Sequence, residues 1–464
     1  MTNLDTSANS NISIPPSTPL SSLLAIAGFA VGGIPERKAV NILNKKSGAL
    51  LTVKVPTMGD VVLVTDPAMV RSIFSASPSL LISGRFNAVL DFLYGQTSMF
   101  LVDGAPHHRL RRLLVPPFRN KDSLASYAKI IERVAEDVLD EMPVGSPFAL
   151  LPELRHGMLE IILRIIFGIS DEARLAPFRV AMTDLLELST SYSASIRFAL
   201  RNVISVRHWG RLQAALKASN TLIYSEISRR RGDPLTQEQD DILALLLRTR
   251  TEEGELLSDV EIRDQLVTML IAGHETTATT LAWAFERLLR TPNTLARLSA
   301  EAQTNDHEYA DAVVTETLRL RSPIPVFSRE VAGEFSLGGY NLPKGTILVA
   351  HIAYIHHRAD LFENPHDFCP ERFLDRKSEL GAYIPFGGGL HSCIGNHFAA
   401  LEVRVFLHVM LRRGLFVPDR KASEREHRQT ILNLPARGAR VTLLSRKQRQ
   451  PMKLVATKGC PMNK

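Results

Sequence analysis

The spacing of apolar residues changes along the chain. Between residues 48 and 65, "LLTVKV" and "DVVLVT" flank the turn-like "PTMG", a pattern typical of a β-hairpin. From about Pro67 to Arg319, apolar residues recur at three- and four-residue intervals, which predicts helices. Clear examples are "SYAKIIERVAEDVLDEM" and "DDILALLLRTRTEEGELL". We therefore expect a hairpin followed by a long helical region.

Beyond Arg329 the pattern alternates again. "EFSLGGYNLPKGTILVAHIAY" predicts short strands, and "HFAALEVRVFLHVMLRRG" predicts a helix capped at Gly414. "QTILNLP" and "ARVTLLS" predict the last strands. The sequence thus predicts a mainly α fold of the α+β class, with small β-sheets at each end of the chain.

The longest predicted helix runs from Ser258 to Leu289. Ser258 and Glu261 have the spacing of a capping box at its start. The segment that follows, "QLVTMLIAGHETTATTLAWAFERLL", is apolar on nearly every side. We therefore expect this helix to cross the core.

The composition is that of a globular protein. The chain has 464 residues, of which 45% are hydrophobic and 22% are charged. No repeat or low-complexity segment divides it, so the sequence allows one large domain, which would span residues 19–445, as readily as several domains. Residues 1–18 are rich in Ser, Thr, Asn and Pro, and residues 446–464 are basic. We expect both of these ends to be disordered.

The formal net charge is +7. So modest an excess suits an acidic protein partner or an anionic cofactor as well as it suits a nucleic acid. The sequence lacks the runs of basic and aromatic residues that line nucleic-acid grooves. We therefore predict no nucleic-acid partner.

The three cysteines, Cys369, Cys393 and Cys460, are too few for a disulfide framework and favour a reducing compartment. The apolar stretch Leu20–Ile34 is too short to span a bilayer. No basic residue precedes it, as one would in a signal peptide. We predict a cytoplasmic protein without a transmembrane segment, and peripheral contact with a membrane stays open.

The segment "FGGGLHSCIG" surrounds Cys393 with four glycines. Glycine clusters are often turns and a single cysteine is often a buried apolar residue, but neither alternative needs this arrangement. Cys393 precedes a predicted helix whose amides and dipole would stabilise a thiolate. The glycines would let the backbone approach a flat ligand and donate N–H groups to the sulfur. Thiolate ligation of haem iron has these requirements.

This segment resembles the haem loop of the cytochrome P450 family. The matching positions are Phe386, Gly389, His391, Cys393 and Gly395. The resemblance implies the cytochrome P450 fold, with haem b held between the long core-crossing helix and this loop. It also implies that the thiolate of Cys393 is the axial iron ligand, and that Cys369 and Cys460 have no part in the site.

Two further motifs match family segments that pack behind the haem loop, on the side away from the haem. "ETLR" supplies Glu316 and Arg319, and "PERF" supplies Arg372. The resemblance implies that these three side chains form a buried, charge-assisted network behind the loop. The alternative for Glu316 and Arg319 is an ordinary surface ion pair of an i, i+3 helix.

"AGHETT" resembles the oxygen-activation signature of the family. The resemblance places Ala272 and Gly273 beside the haem and assigns proton delivery to Glu275 and Thr276. A glycine and a Glu-Thr pair within a helix are locally unfavourable, so we expect a local disturbance there that opens a groove. The alternative is that Thr276 simply hydrogen-bonds to its own helix.

Four cationic or imidazole side chains match the family's haem-propionate positions. His107 and Arg111 in "HHRLRRLLVPPF" are four residues apart and share a helix face. Arg329 follows "RSPIPVF", and His391 stands where many relatives have arginine. Without the resemblance, these residues would be a basic helix face and isolated charges.

The resemblance implies a haem-thiolate monooxygenase that uses O2. It implies electrons from NAD(P)H through a ferredoxin and a ferredoxin reductase, and hydroxylation or epoxidation of a hydrophobic small molecule. Fatty acids, terpenoids, steroids and polyketides all suit the residues at the family's pocket positions. These are Phe86, Leu90, Phe92, Leu93, Tyr94, Met182, Leu185, Leu186, Phe198, Val326 and Phe327. A peroxide-driven or isomerising enzyme of the same fold, and a haem-based sensor, remain as alternatives.

Overall fold

The hairpin predicted from residues 48–65 is the edge of a larger sheet in a computed structural model of the chain. The structure describes residues 14–15, 50–55, 59–83, 87, 90–190, 210–250, 254–374 and 381–449. β1 (Leu50–Val55) and β2 (Gly59–Val64) are antiparallel, with Leu50 opposite Val64. Residues 56–58 of the predicted turn lie outside the described residues.

The strands predicted after Arg329 join the same sheet. The strand order is β1-β2-β8-β5-β3, in which β3 is Leu81–Ile82, β5 is Phe327–Val331 and β8 is Ile347–Ala350. β2 and β8 run parallel, and the other pairs are antiparallel. Strands from both ends of the chain thus share one sheet, because the N-terminal hairpin pairs with a strand almost 300 residues later.

The remaining strands form small sheets. β4 (Pro147–Ala149), β9 (Gly414–Pro418) and β12 (Arg440–Arg446) make a three-stranded sheet with β12 at its centre. Two hairpins complete the described strands, and they are β6 (Phe335–Leu337) with β7 (Tyr340–Leu342) and β10 (Glu426–Gln429) with β11 (Leu432–Pro435). Three-residue β4 has too little pattern of its own to be predicted.

Helices account for most of the described core. They are α1 (Pro67–Ser75), α2 (Asp91–Tyr94), α3 (Gly104–Leu114), α4 (Lys121–Glu141), α5 (Leu150–Ile165), α6 (Glu172–Thr190), α7 (Gly210–Arg231), α8 (Ile242–Arg248), α9 (Asp259–Leu288), α10 (Pro292–Glu301), α11 (Glu308–Leu320), α12 (Ile352–Ile355) and α13 (Asn396–Arg413). None of the helices described here is both long enough and apolar enough to cross a membrane. The apolar stretch Leu20–Ile34 lies outside the described residues.

α9 is the core-crossing helix that the sequence predicted. Its N-cap Ser258 accepts a hydrogen bond from the amide of Glu261, and the Glu261 side chain accepts one from the amide of Ser258, which confirms the capping box. Most of its residues from Ile262 onward are buried. α9 packs against α5, α11 and α13, so it fixes the position of elements from both halves of the chain.

Two helix ends differ from the predictions. α8 stops at Arg248 because Thr249 is extended, with φ −71° and ψ 135°, and Arg250 then bridges to Leu256. The apolar spacing of "DDILALLLRTRTEEGELL" predicted one helix, whereas the structure has a helix followed by a separate β-bridge. Gly414 does follow α13, but its φ of −105° is not left-handed. Size is what matters at this position, since a Cβ there would lie 2.5 Å from the Phe416 ring.

Both ends expected to be disordered have described contacts. The carbonyl of Pro15 accepts a hydrogen bond of 2.7 Å from the Thr52 hydroxyl. At the other end, β12 extends to Arg446, and the Arg449 guanidinium pairs with Asp137 and Asp140 on α4. The described part of the chain thus reaches residue 449, four residues past the predicted domain boundary at 445. Residues 450–464 lie outside the described part.

Candidate active site

The loop around Cys393 is closed by its own backbone. The amide of Cys393 donates to the Phe386 carbonyl at 2.9 Å. Gly389–His391 form a single 3₁₀ turn. α13 begins at Asn396, three residues after Cys393, with Gly395 as its N-cap. Cys393 therefore lies just before the helix N-terminus, as predicted from the sequence.

The four glycines of this loop have different roles. Gly387 and Gly389 both have φ +65°, which favours glycine. A Cβ on Gly388 would lie 2.3 Å from the Phe74 ring in α1, and one on Gly389 would lie 2.6 Å from the Phe74 carbonyl. Packing against α1 therefore accounts for Gly388 and Gly389. At Gly387 and Gly395 a Cβ would meet no protein atom within 4 Å, so room for a ligand stays a prediction for those two.

Cys393 is an exposed residue, but its thiol is surrounded by protein atoms. Burial is the largest influence on the thiol and raises its pKa. The Gly395 amide and the charge of Arg111 oppose this effect without outweighing it. The amide at the start of α13 therefore lowers the pKa of this thiol, in the direction expected, while burial has the larger and opposite effect.

Arg111 connects α3 to the residue before the cysteine. Its guanidinium donates to the Ser392 carbonyl at 2.7 Å and to the Ser392 hydroxyl at 2.6 Å. One turn earlier, the buried ring of His107 stacks on His391, with centroids 4.1 Å apart. Burial, together with the charges of His391 and Arg111, lowers the pKa of His107 to about 4. His107 is therefore neutral at pH 7 and offers a hydrogen bond without a charge.

Asp103 joins this group without having been predicted. Its carboxylate lies 3.3 Å from Nε2 of His391 and accepts hydrogen bonds from the amide and hydroxyl of Ser83. Burial pushes the pKa of Asp103 up, but these hydrogen bonds outweigh burial and lower it. The spacing of Asp103, His107 and Arg111 by four residues was the available signal, since it places all three on one side of a helix.

Arg329 is a half-buried cation. Its guanidinium donates to the Ser328 carbonyl at 2.6 Å and lies over the Phe327 ring. Within the described part of the chain, no carboxylate forms an ion pair with it. Burial lowers the pKa of Arg329 to about 10, so it remains charged at neutral pH. Arg329 and His391 line the same cavity of about 20 Å³, large enough for about one water molecule.

α9 has an accessible patch in its otherwise buried middle. Ala272 is exposed, and Gly273 and Thr276 are half-buried, whereas Ile271, His274, Glu275 and Thr277 are buried. The helix continues through this patch, so the predicted local disturbance is absent. Thr276 donates its hydroxyl to the Ala272 carbonyl at 2.7 Å. The simple alternative, a hydrogen bond to its own helix, is therefore what the structure contains.

Glu275 faces a different partner. Its Oε2 accepts hydrogen bonds from Nη2 and Nε of Arg155, on α5, at 2.8 and 3.0 Å. His274 Nδ1 is 3.6 Å from the other carboxylate oxygen. Burial raises the pKa of Glu275, but His274 and Arg155 outweigh it and lower the pKa overall. No local pattern could link Arg155 to Glu275, because they are 120 residues apart.

Glu402 is a buried carboxyl group that the sequence analysis missed. It lies on α13, and its Oε2 accepts a hydrogen bond of 3.4 Å from the Thr277 hydroxyl. Burial raises the pKa of Glu402 well above its ordinary value, and the hydrogen bond from Thr277 opposes this only in part. Its position between Phe398 and Phe406, four residues away on either side, places an acid on the apolar face of the helix. That was the signal available in the sequence.

The three residues of the predicted network are in direct contact. Glu316 and Arg319 are completely buried and form a two-point ion pair at 2.7 and 2.8 Å. Arg372, in the 3₁₀ turn Pro370–Phe373, reaches the same carboxylate at 3.2 Å. Glu316 also accepts the amide of Cys369 at 2.9 Å. The alternative of a surface ion pair is excluded.

The donor set fits a flat anionic cofactor. The exposed residue Cys393 lies in a loop held by Arg111, and Arg329 and His391 share a cavity at that loop. Arg329 lacks a carboxylate partner among the described residues, and haem propionates would supply one. A soft sulfur ligand beside cationic groups is the chemistry that haem iron and its propionates require. The residues present therefore suit haem.

Comparisons with known proteins agree with this assignment. The family model for cytochrome P450 matches residues 15–442. "Putative cytochrome P450 137" of Mycobacterium tuberculosis is 38% identical over 413 residues, covering 89% of this chain and 86% of the relative. "Putative cytochrome P450 135B1" of Mycobacterium bovis is 35% identical over 441 residues, covering 94% and 92%.

Solved structures share the fold. Cyanobacterial CYP120A1, bound to retinoic acid, has a TM-score of 0.79 at 22% identity and covers 94% of this chain and 100% of its own. The heme domain of cytochrome P450DA has a TM-score of 0.80 at 22% identity and covers 95% and 99%. The chain belongs to the cytochrome P450 family, and it is accordingly a haem monooxygenase, an oxidoreductase of the kind the sequence predicted.

Proposed function

We propose that Cys393 is the axial ligand of haem b and that four side chains bind its propionates. Arg111 and Arg329 supply charge, and His107 and His391 supply N–H donors. The observation that carries the proposal is the exposed residue Cys393 in a loop that Arg111 fastens to α3. When bound, the haem would supply oxygen activation, to which a thiolate ligand contributes electron density.

The accessible patch of α9 is the proposed oxygen-binding side. Ala272 and Gly273 offer a surface without bulky side chains, and a Cβ on Gly273 would have only Ile162 nearby, at 3.8 Å. Thr276 would donate its hydroxyl there after releasing the Ala272 carbonyl. Glu275 would accept and pass on protons after releasing Arg155, whose side chain is 30% exposed and so connects the pair to solvent. Proton transfer by such positioned groups contributes about 10²–10⁴-fold to a rate.

We propose that electrons come from NAD(P)H through a ferredoxin and its reductase. Arg112, Arg119 and Lys121 are exposed on or next to α3, the helix that holds the cysteine loop. Such a basic surface would attract an acidic electron carrier and favour its correct orientation. The cytoplasmic location inferred from the cysteines is the compartment in which such carriers operate.

The substrate is proposed to be a hydrophobic small molecule, such as a fatty acid, terpenoid, steroid or polyketide. Leu93 and Tyr94 form the buried end of α2, and Phe92 is 38% exposed. Phe327 is half-buried and stacks on Phe74. Met182, Leu185 and Leu186 instead lie in the core with at most 2% exposure, so their proposed contact with substrate has no support. Phe86 and Phe198 lie outside the described residues.

The test reconstitutes the haem-loaded protein with a surrogate ferredoxin, its reductase and NADPH. A library of fatty acids, terpenoids, steroids and polyketides, with retinoic acid included, is first screened for shifts in the haem absorbance. The hits are then incubated under isotopically labelled O2. Labelled product that requires NADPH supports the proposal. Product formed only with added peroxide would indicate a peroxide-driven enzyme, and ligand binding without any product would indicate a sensor.

A further inference from the structure

A loop next to α2 is fastened to α9 by buried polar side chains. We name residues 93–101 the anchored loop. It begins with Leu93 and Tyr94, the last two residues of α2, and it contacts the first three turns of α9. The contacts come from a group of α9 residues that are each at most 7% exposed, namely Arg263, Asp264, Gln265 and Thr268.

Asp264 makes the first set of contacts. Its Oδ2 accepts hydrogen bonds from the amide and hydroxyl of Thr97 at 3.0 and 2.7 Å. Its Oδ1 is paired with Arg263 at 2.9 Å. The carboxylate lies so close to Gly95 that a Cβ there would be 2.0 Å from Oδ1, and Gly95 has φ +87°. Glycine is therefore required at this point of the loop.

Gln265 and Thr268 make the second set. The Gln265 amide binds the backbone on both sides of Ser98, since Oε1 accepts the amide of Met99 at 2.9 Å and Nε2 donates to the carbonyl of Thr97 at 2.7 Å. The hydroxyls of Ser98 and Thr268 are 2.7 Å apart. Thr268 donates to the Asp264 carbonyl at 2.6 Å, so the proton between the two hydroxyls comes from Ser98.

Arg263 extends the connection to a third element. Its guanidinium donates to the carbonyls of Leu93 and Tyr94 at 3.3 and 3.2 Å. Its Nε donates to the Asn220 side chain on α7 at 2.8 Å. Because the charge of Arg263 is itself paired with Asp264, the loop, α7 and α9 are held by a single buried polar network. Fully satisfied networks of this kind make a structure rigid.

The anchored loop ends where the accessible face of α9 begins. Thr268, Ala272 and Thr276 are spaced by four residues, so they lie on one face of the helix. The first of them contacts Ser98, whereas Ala272 and Thr276 are accessible. At a rise of 1.5 Å per residue, Thr268 is about 12 Å from Thr276 along the axis. The loop therefore borders the space above Ala272.

We propose that Asp264 and Gln265 are positioning residues that hold the anchored loop as a fixed wall of the substrate cavity, so that the shape of this wall selects the substrate. The inference rests on the proposed function, because it takes the accessible face of α9 to border the substrate. The backbone groups of Thr97 and the amide of Met99 are already hydrogen-bonded to α9. The wall therefore offers apolar contacts, which suit hydrophobic molecules of restricted shape.

The test compares wild-type holoenzyme with Asp264→Asn and Gln265→Ala. Gln265→Ala changes no charge, and it serves as the second variant if Asp264→Asn fails to fold with Arg263 unpaired. The control is Asp259→Asn, the same substitution on the same helix. Asp259 pairs with Arg231, and its side chain is 48% exposed. Hydrogen exchange reports the loop amides, and haem absorbance reports binding of imidazole and of the bulkier 4-phenylimidazole.

Asp264→Asn should increase exchange of the Thr97 amide, and Gln265→Ala that of the Met99 amide, each at least tenfold, because each variant changes the α9 partner of that amide. The ratio of the two dissociation constants should change at least fivefold, while imidazole binding itself stays within twofold. Asp259→Asn should leave the exchange and the ratio unchanged.

Faster exchange with an unchanged ratio would overturn the inference, because the loop would then move without affecting the cavity. Unchanged exchange would overturn the anchoring itself. If wild-type protein gave no thiolate-type carbon monoxide band, the proposed function would fail, and the exchange data would still report the anchoring separately.

Discussion

Glu316→Gln is expected to destabilise the protein severely, because it neutralises one side of a buried ion network. The carboxylate oxygens lie 2.7 and 2.8 Å from two nitrogens of Arg319, and 3.2 Å from Nε of Arg372. Neither Glu316 nor Arg319 has any accessible surface. The variant keeps the shape of the side chain but leaves the Arg319 charge without its counter-ion.

The magnitude follows from what remains around Arg319. Breaking a buried pair by removing one partner costs about 3–5 kcal/mol. The guanidinium would keep hydrogen bonds to the carbonyls of His356, Pro365 and Asp367, so we expect the lower end, about 3 kcal/mol. Arg319→Met would leave those carbonyls without a donor and Glu316 without its counter-ion, and we expect a loss of stability of about 5 kcal/mol. Either loss is large beside a total stability of about 5–15 kcal/mol.

The matched control is Glu132→Gln, which breaks an exposed pair with Arg412 between α4 and α13. Such pairs contribute about 0–1 kcal/mol. Denaturant midpoints, followed by tryptophan fluorescence, and haem content per chain are measured for all variants. Equal midpoints for Glu316→Gln and Glu132→Gln would refute the reasoning. The double variant with Arg319→Met should lose less than the sum of the two single variants, because the second change removes the unpaired charge.

Three further predictions concern single residues. Thr276→Ala should lower the product formed per NADPH by about 10²-fold or more while hydrogen peroxide rises; an unchanged ratio would remove the proposed proton role. Burial raises the pKa of Glu402, so this group lowers stability increasingly as pH rises above about 4.5, by up to about 1.4 kcal/mol per unit. His107, whose pKa is lowered, contributes the opposite slope, so in unfolding measurements the stability of Glu402→Gln minus that of wild type should rise from pH 5 to 8, and a constant difference would contradict the assignment. Gly389→Ala should cost about 1–3 kcal/mol through its positive φ and its contact with Phe74, whereas Gly395→Ala should cost much less in the same thermal unfolding assay.

Local patterns predicted the elements and the residues of the site, because each depends on neighbours in the sequence. The capping box at Ser258 and the glycine loop around Cys393 are of this kind. The pair of Glu316 and Arg319 could be predicted from its i, i+3 spacing, but its burial could not. The burial of this pair depends on chain segments 37 to 48 residues away, whose backbone carbonyls accept hydrogen bonds from Arg319.

Partners from distant parts of the chain could not be predicted. Arg155 reaches Glu275 from another helix, and the register that joins β2 to β8 brings together residues almost 300 positions apart. The glycines show a second limit. The sequence indicates that position 388 must lack a side chain, but only the structure reveals that Phe74, and not a ligand, fills the space where a Cβ would lie. Asp264 was similarly hidden, because its partners are loop backbone groups.

The identity of the iron ligand is tested most directly by Cys393→Ser. The reduced protein is treated with carbon monoxide and its absorbance is compared with that of wild type and of Cys369→Ser, which removes a half-buried thiol whose burial raises its pKa. We predict that the red-shifted band of a thiolate-ligated carbonyl is lost in Cys393→Ser and retained in Cys369→Ser. Survival of the band in Cys393→Ser would contradict the central claim, that the sulfur of this glycine loop binds the haem iron.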